Sequence, residues 1–169
     1  MATGYNILLA GALIAVVCAT ATAMTKRQGD AWTYYRFDGR GFSAGPPTDG
    51  GPFVALRDGV APVLLTQAAK IEATALPPGK GAVAGICFMQ HAGGKLAGGA
   101  GFTPSPDTPI RITGNGGSTL ISSSADGYFV ALLDAGEYEI MAGPARTHVR
   151  VEKGKTTLTA LRTGKRMVD

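Results

Sequence analysis

The sequence contains little cysteine and little charge, and each shortage excludes a class of protein. Cys18 and Cys87 are the two cysteines among 169 residues, and Cys18 lies in an apolar stretch. With one thiol left in the body of the chain, an internal disulfide, a zinc site of paired cysteines and haem attachment through Cys-x-x-Cys-His are excluded. Charged residues make up 17% of the chain and apolar residues 45%. This balance argues for a packed core and against disorder of the whole chain.

The positive charge is concentrated towards the C-terminal end. The net charge is +4, and the basic residues after Pro144 are Arg146, Arg150, Lys153, Lys155, Arg162, Lys165 and Arg166. Such a segment is able to bind phosphate or an anionic surface, although solvated strand faces and a short tail have the same pattern. No aromatic residue follows Tyr138 to stack on a base. We therefore expect no nucleic acid among the partners.

Within residues 1–24, the twenty residues from Tyr5 to Met24 carry no charge, about the length that crosses a hydrocarbon core as a helix. Gly11, Ala15 and Ala19 recur at every fourth position and form a ridge of small residues that favours close helix packing in lipid. A cleaved signal peptide is the other interpretation, because Ala23 closes a small-x-small cleavage site. The segment thus predicts a transmembrane anchor or a signal peptide, with Gly11, Ala15 and Ala19 as candidate interface residues.

Both interpretations of this segment share the export step, and the orientation of the segment decides on which side the body lies. Lys26 and Arg27 directly follow the apolar stretch, and the positive-inside rule taken alone places the body in the cytoplasm. The fold class predicted below favours the other side. We expect a membrane-anchored protein with its body on the periplasmic or extracellular side, or a protein secreted after signal cleavage.

The remaining sequence is typical of an all-β protein, because short apolar runs alternate with turn signals and no long segment keeps a helical period. A break rich in proline and glycine at residues 77–81 divides it. We predict a β-rich extension of unknown fold over 25–80, a seven-stranded antiparallel sandwich over 81–163 and a basic tail over 164–169. The predicted strands are residues 32–37, 53–56, 60–65, 69–75, 82–90, 109–113, 118–123, 128–133, 137–142, 148–151 and 156–162.

One predicted strand shows clear alternation of polar and apolar side chains. Tyr138 and Ile140 alternate with Glu137 and Glu139. We expect the first pair to face a core and the second pair to face solvent.

Three motifs in this half resemble the carboxypeptidase-regulatory-like domain. They are Asp126-Gly127-Tyr128-Phe129, Gly136-Glu137-Tyr138 and a Val149-Arg150-Val151 strand that ends at Gly154. In that family an Asp-Gly-x-Phe turn and a Gly-x-Tyr turn bracket one hairpin, and a Val-x-Val strand ends in a glycine turn. The resemblance covers residues 81–163 and implies a prealbumin-like, or transthyretin-like, sandwich of seven strands. The family's Pro-x-x-Gly-Ala-x-Val motif is reduced here to residues 108–112.

The sequence predicts no catalytic, cofactor or metal site. Cys87 and His91 are four positions apart, and on a strand such positions share a face but lie about 13 Å apart, beyond hydrogen-bonding reach. Asp126 and Asp134 offer too few oxygens for calcium and are expected to form turns. We expect a protein that is not an enzyme and holds no cofactor or metal.

The densest aromatic cluster, Trp32, Tyr34, Tyr35 and Phe37, is the candidate interface. Such residues often anchor protein contacts or lie at the lipid headgroup level, although a strand with one buried side has the same composition. We expect a membrane-anchored accessory or structural subunit whose exported sandwich binds protein partners in an envelope or membrane complex. A secreted carbohydrate-binding or ligand-binding module is the alternative.

Overall fold

Twelve β-strands and no helix are present in the residues that the computed structural model describes, 31–46, 51–66, 71–93 and 101–168. None of these residues forms a helix that is long and apolar enough to cross a bilayer. The segment predicted as an anchor or signal peptide, residues 1–24, lies outside them. The strands are β1 (Thr33–Phe37), β2 (Phe42–Ala44), β3 (Phe53–Leu56), β4 (Val63–Leu65), β5 (Lys80–Gly93), β6 (Phe102–Pro104), β7 (Pro109–Gly114), β8 (Gly117–Ser122), β9 (Tyr128–Asp134), β10 (Gly136–Ala142), β11 (Ala145–Val151) and β12 (Thr156–Val168).

The strands form three sheets. The N-terminal sheet has the antiparallel order β2-β1-β3-β4, and the outer sheet has the antiparallel order β11-β10-β7-β8. In the central sheet, β12 pairs parallel with one edge of β5, and β9 and then β6 pair antiparallel with the other edge. The long strand β5 is therefore the middle of the central sheet.

One hydrophobic core lies between the central sheet and the outer sheet. Side chains of alternate residues on each strand point into it, as the period of two requires. Its buried residues include Val83, Cys87, Phe129 and Leu161 from the central sheet and Ile112, Tyr138, Ile140 and Val149 from the outer sheet.

A second core lies on the opposite face of the central sheet, against the N-terminal sheet. Its buried residues are Phe37, Val54, Ala84, Ile86, Phe88 and Tyr128. The ring of Phe37 lies 4.7 Å from that of Phe88 and 4.9 Å from that of Phe102, measured between centroids. Because both faces of the central sheet are covered, β5 is buried without interruption from Gly81 to Phe88.

The hairpin motifs of the sequence position one buried tyrosine. Tyr138 is 7% exposed, and its hydroxyl donates to the carbonyl of Asp134 at 3.0 Å and accepts from Asn115 Nδ2 at 2.7 Å. Gly127 has a φ of +77°, as its turn requires. Gly136 is needed for space instead, because a Cβ there would lie 2.5 Å from Asn115 Oδ1.

From Lys80 onward the structure has eight strands where the sequence predicts seven, and one pair is parallel. The additional strand is β6, whose three residues are too few to show alternation. Strand β12 continues to Val168 because β5 extends to Gly93 and offers it an edge. Residues 164–168 of the predicted basic tail therefore belong to a strand. The inward positions of Tyr138 and Ile140 are confirmed.

Candidate functional site

The predicted aromatic cluster is divided between the core and the surface. Phe37 is 3% exposed and packs between two sheets, so it is not available at an outer surface. Tyr34 is half-buried, with its ring 5.7 Å from that of Phe53 in an edge contact. Tyr35 is also half-buried.

Trp32 lies immediately before β1 and contacts a cation. The Cζ atom of Arg57 is 5.1 Å from the centroid of the Trp32 ring, a cation–π geometry. The other predicted interface residues, Gly11, Ala15 and Ala19, lie outside the described residues.

Strand β8 forms one edge of the outer sheet and has no charged residue and no proline. Leu120 in its middle is 67% exposed. Exposed edge strands are usually protected from pairing by charged side chains, proline or a covering element. The sequence of β8 contains neither charged side chains nor proline. Its small polar residues did not indicate a function in the sequence.

Several of the basic residues near the C-terminal end form surface ion pairs. On the outer sheet, Arg146 Nε lies 3.2 Å from Glu139 Oε1 and Arg150 Nε lies 3.8 Å from Glu137 Oε1. Both ion pairs link the neighbouring strands β10 and β11 on the solvent face of the outer sheet, where each contributes little to stability. This part of the basic segment matches the solvated strand face that the charge pattern also allowed.

A groove of about 820 Å³ crosses β12 and is lined by four basic residues, of which Arg146 has its side chain paired with Glu139. Arg162 and Lys165 belong to β12, Arg40 to the turn between β1 and β2, and Arg146 to β11. No aspartate or glutamate lines the groove within the described ranges. We name these four residues the basic groove.

A β-bulge brings two of these cations to the same face of the sheet. Arg162 pairs with Phe88 and Lys165 pairs with Gln90, and the register shifts between Arg162 and Gly164. Residues three positions apart in a regular strand point to opposite faces. The extra residue at the bulge makes them equivalent to residues two positions apart, so Arg162 and Lys165 share a face.

Hydrogen bonds fix the backbone of the turn that carries Arg40. The carboxylate of Asp38 accepts hydrogen bonds from the backbone N–H groups of Arg40 at 2.8 Å and Gly41 at 2.9 Å. These bonds to the Gly41 and Arg40 amides lower the pKa of Asp38. Gly39 has a φ of +92°, and the ring of Phe102 packs against it. The turn therefore places Arg40 beside β12, a proximity that sequence spacing does not reveal.

Cys87 and His91 lie on β5 but do not form a pair. Cys87 is fully buried in the core under the outer sheet, and His91 is hydrogen-bonded through Nε2 to Thr103 Oγ1 at 2.7 Å. No three histidine, cysteine, aspartate or glutamate side chains approach closely enough to hold a metal ion in the part of the chain that the structure describes.

Burial raises the pKa of the Cys87 thiol to about 12. We expect Cys87, in a Cys18→Ser background, to resist iodoacetamide at pH 8 in the folded protein and to react once the chain is unfolded in urea, as measured by intact mass. Rapid labelling of the folded protein would contradict this placement.

The unfolded thiol ionises near pH 9 and the folded one near pH 12, so the thiol's contribution to stability is complete below pH 9 and falls as the pH rises through this window. A Cys87→Ala variant should lack this part of the pH dependence of the unfolding free energy.

No known protein family and no curated protein matches the sequence of this chain. Two solved structures are similar to it. A DUF3823 family protein from Parabacteroides merdae is 17% identical with a TM-score of 0.36, over 51% of this chain and 46% of that one. GBS52, the minor pilin of Streptococcus agalactiae, is 12% identical with a TM-score of 0.39, over 73% of this chain and 63% of that one. Similarity at this level does not transfer the role of either protein to this chain.

Proposed function

We propose that the protein is a non-catalytic accessory or structural subunit whose layered β-sandwich makes protein–protein contacts in an envelope or membrane complex. Residues 1–24 would anchor it, with the body on the periplasmic or extracellular side. We further propose that residues 81–163 are a divergent carboxypeptidase-regulatory-like domain. The Asp126-Gly127 turn, which leads into β9, and the Gly136-Glu137-Tyr138 motif at the start of β10 support this assignment.

The observation that carries the proposed function is the edge strand β8 of the outer sheet, which has neither a charged residue nor a proline. Strand β8 pairs with β7 on one side, and the backbone N–H and C=O groups of its other side have no strand partner within the described residues. An extended segment of a partner can pair with such an edge, with backbone hydrogen bonds supplying affinity. Leu120, on the solvent face of β8, offers an apolar contact beside that edge.

A charge on β8 tests this proposal. After gentle solubilisation of native membranes, we expect the wild-type protein to migrate in a complex well above its own 17.2 kDa. Leu120→Lys should release the protein from the complex, because a lysine on an edge strand opposes pairing with a further strand. Native gel electrophoresis of the full-length chain measures both outcomes.

The matched control is Ala44→Lys, which adds the same charge at an exposed position of β2, an edge strand of the N-terminal sheet. It should leave the complex intact. Migration of the wild-type protein as a free monomer would contradict the proposed function. An intact mass without residues 1–23 would contradict the membrane anchor.

A further inference from the structure

The basic groove combines charge with an unpaired strand edge. Arg40 comes from the sheet on one face of the central sheet and Arg146 from the sheet on its other face. A groove lined by both must cross the outer edge of β12. No strand within the described ranges is hydrogen-bonded to that edge, so alternate N–H and C=O groups of β12 point outward without a strand partner.

We propose that the basic groove is a second binding site, which takes an extended acidic segment of a partner protein. The segment pairs its backbone with the outer edge of β12, and its carboxylates contact Arg40, Arg162 and Lys165. The site goes beyond the proposed function, because β8 belongs to a different sheet and carries no charge.

Charge complementarity identifies the segment as acidic. Arg40 and Lys165 form no ion pair with any residue that the structure describes. Arg162 donates from Nη1 to the neutral Gln90 Oε1 at 2.9 Å, which fixes the guanidinium without neutralising it. Arginine groups held in this way bind carboxylates with directed, charge-assisted hydrogen bonds.

The lining also favours a peptide over the other polyanions. Among the described residues, the only aromatic one that lines the groove is Phe88, which is 6% exposed, so the groove offers no surface on which a base can stack. The exposed large apolar residues of the described chain, Met89, Leu120 and Leu132, do not line it, so it lacks side chains that would insert into a lipid surface. An unpaired strand edge is a feature that only another polypeptide can complete.

The test uses the full-length protein in an uncharged detergent and a fluorescent peptide that alternates glutamate and threonine. Fluorescence anisotropy should show saturable binding that weakens as salt is added. The Arg162→Gln/Lys165→Gln double variant should bind at least about tenfold more weakly, because each lost charge-assisted bond changes affinity by roughly that factor. The Arg111→Gln/Lys153→Gln double variant has the same net charge but alters exposed residues outside the groove, and it should bind like the wild type.

Two further arms separate the parts of the proposal. A peptide whose alternate backbone nitrogens are methylated keeps its carboxylates but loses N–H donors, and it should bind several-fold more weakly if it pairs with β12. Arg40→Gln lies in a turn of a different sheet and should also weaken binding, so the test does not depend on a variant in β12.

The proposal is overturned if both double variants lose affinity equally, if the methylated peptide binds as well as the parent, or if vesicles containing phosphatidylglycerol or a single-stranded oligonucleotide bind while the peptide does not. None of these readouts involves Leu120. Failure of the groove is therefore distinguishable from failure of the edge contact at β8.

Discussion

Replacing Gly85 with alanine should lower the free energy of unfolding by about 3 kcal/mol. Gly85 lies in the middle of β5 and pairs with Phe129 of β9. A Cβ at this position would lie 2.5 Å from Cζ of Phe129 and 2.7 Å from the carbonyl oxygen of Thr159. The ring is enclosed by the core and the oxygen belongs to the backbone of β12, so neither can move without disturbing two strands.

Gly117→Ala is the matched control for this prediction. Gly117 also lies in a strand, but a Cβ there would have no atom of the described chain within 4 Å, apart from its own neighbours in sequence. Alanine usually stabilises a strand relative to glycine, so this variant should be neutral or more stable by up to about 1 kcal/mol. Urea denaturation of the two variants measures the difference. Equal stability of both variants would show that β5 and β9 do not approach as closely as described.

Truncating Phe37 to alanine should lower the free energy of unfolding by about 3–5 kcal/mol. Its ring contacts those of Phe88 and Phe102 in the central sheet and that of Phe42, 5.6 Å away, in its own sheet. The substitution removes the side chain that joins the two layers and leaves a cavity between them. Tyr34→Ala is the control on the same strand, because Tyr34 is only half-buried and should lose clearly less stability.

The shape of the unfolding curve tests whether these layers depend on each other. If the N-terminal sheet and the central sheet unfold together, Phe37→Ala shifts one cooperative transition, seen equally by circular dichroism and by labelling of Cys87. The alternative result is two transitions, with Cys87 still protected from labelling after the first and Phe37→Ala shifting only that first transition. This result would show that the N-terminal sheet unfolds by itself.

The all-β class and most strand positions could be predicted from the sequence because the signals are local. The alternation of Glu137 and Glu139 with Tyr138 and Ile140 gives both the strand and its buried face. Phe53–Leu56 is predicted and observed with the same bounds. In each case the pattern reflects contacts made by neighbouring residues on one strand.

The arrangement of the strands depends on distant contacts and could not be predicted in the same way. Nothing in the sequence around Ala82 or Thr156 indicates that their strands pair in parallel. Likewise, no single segment predicts how the three sheets assemble, although the continuous apolar run of β5 is typical of a strand covered on both faces.

The basic groove shows the same limit at the level of a site. The excess of basic residues after Pro144 is visible in the sequence, and it includes three of the four cations of the groove. The fourth, Arg40, comes from a separate sheet. Strand periodicity places Arg162 and Lys165 on opposite faces, and only the bulge in the folded chain unites them.

The parallel pairing of β5 with β12 also has a consequence for biosynthesis. Thr163 Oγ1 donates to the carbonyl of Phe88, 75 positions earlier. While the chain emerges from the ribosome, one side of β5 stays unpaired until Thr156–Val168 has been made. Contacts so distant in sequence are slow to form. A chain truncated before Thr156 should therefore be a substrate for chaperones and proteases, even though it retains eleven of the twelve strands that the structure describes.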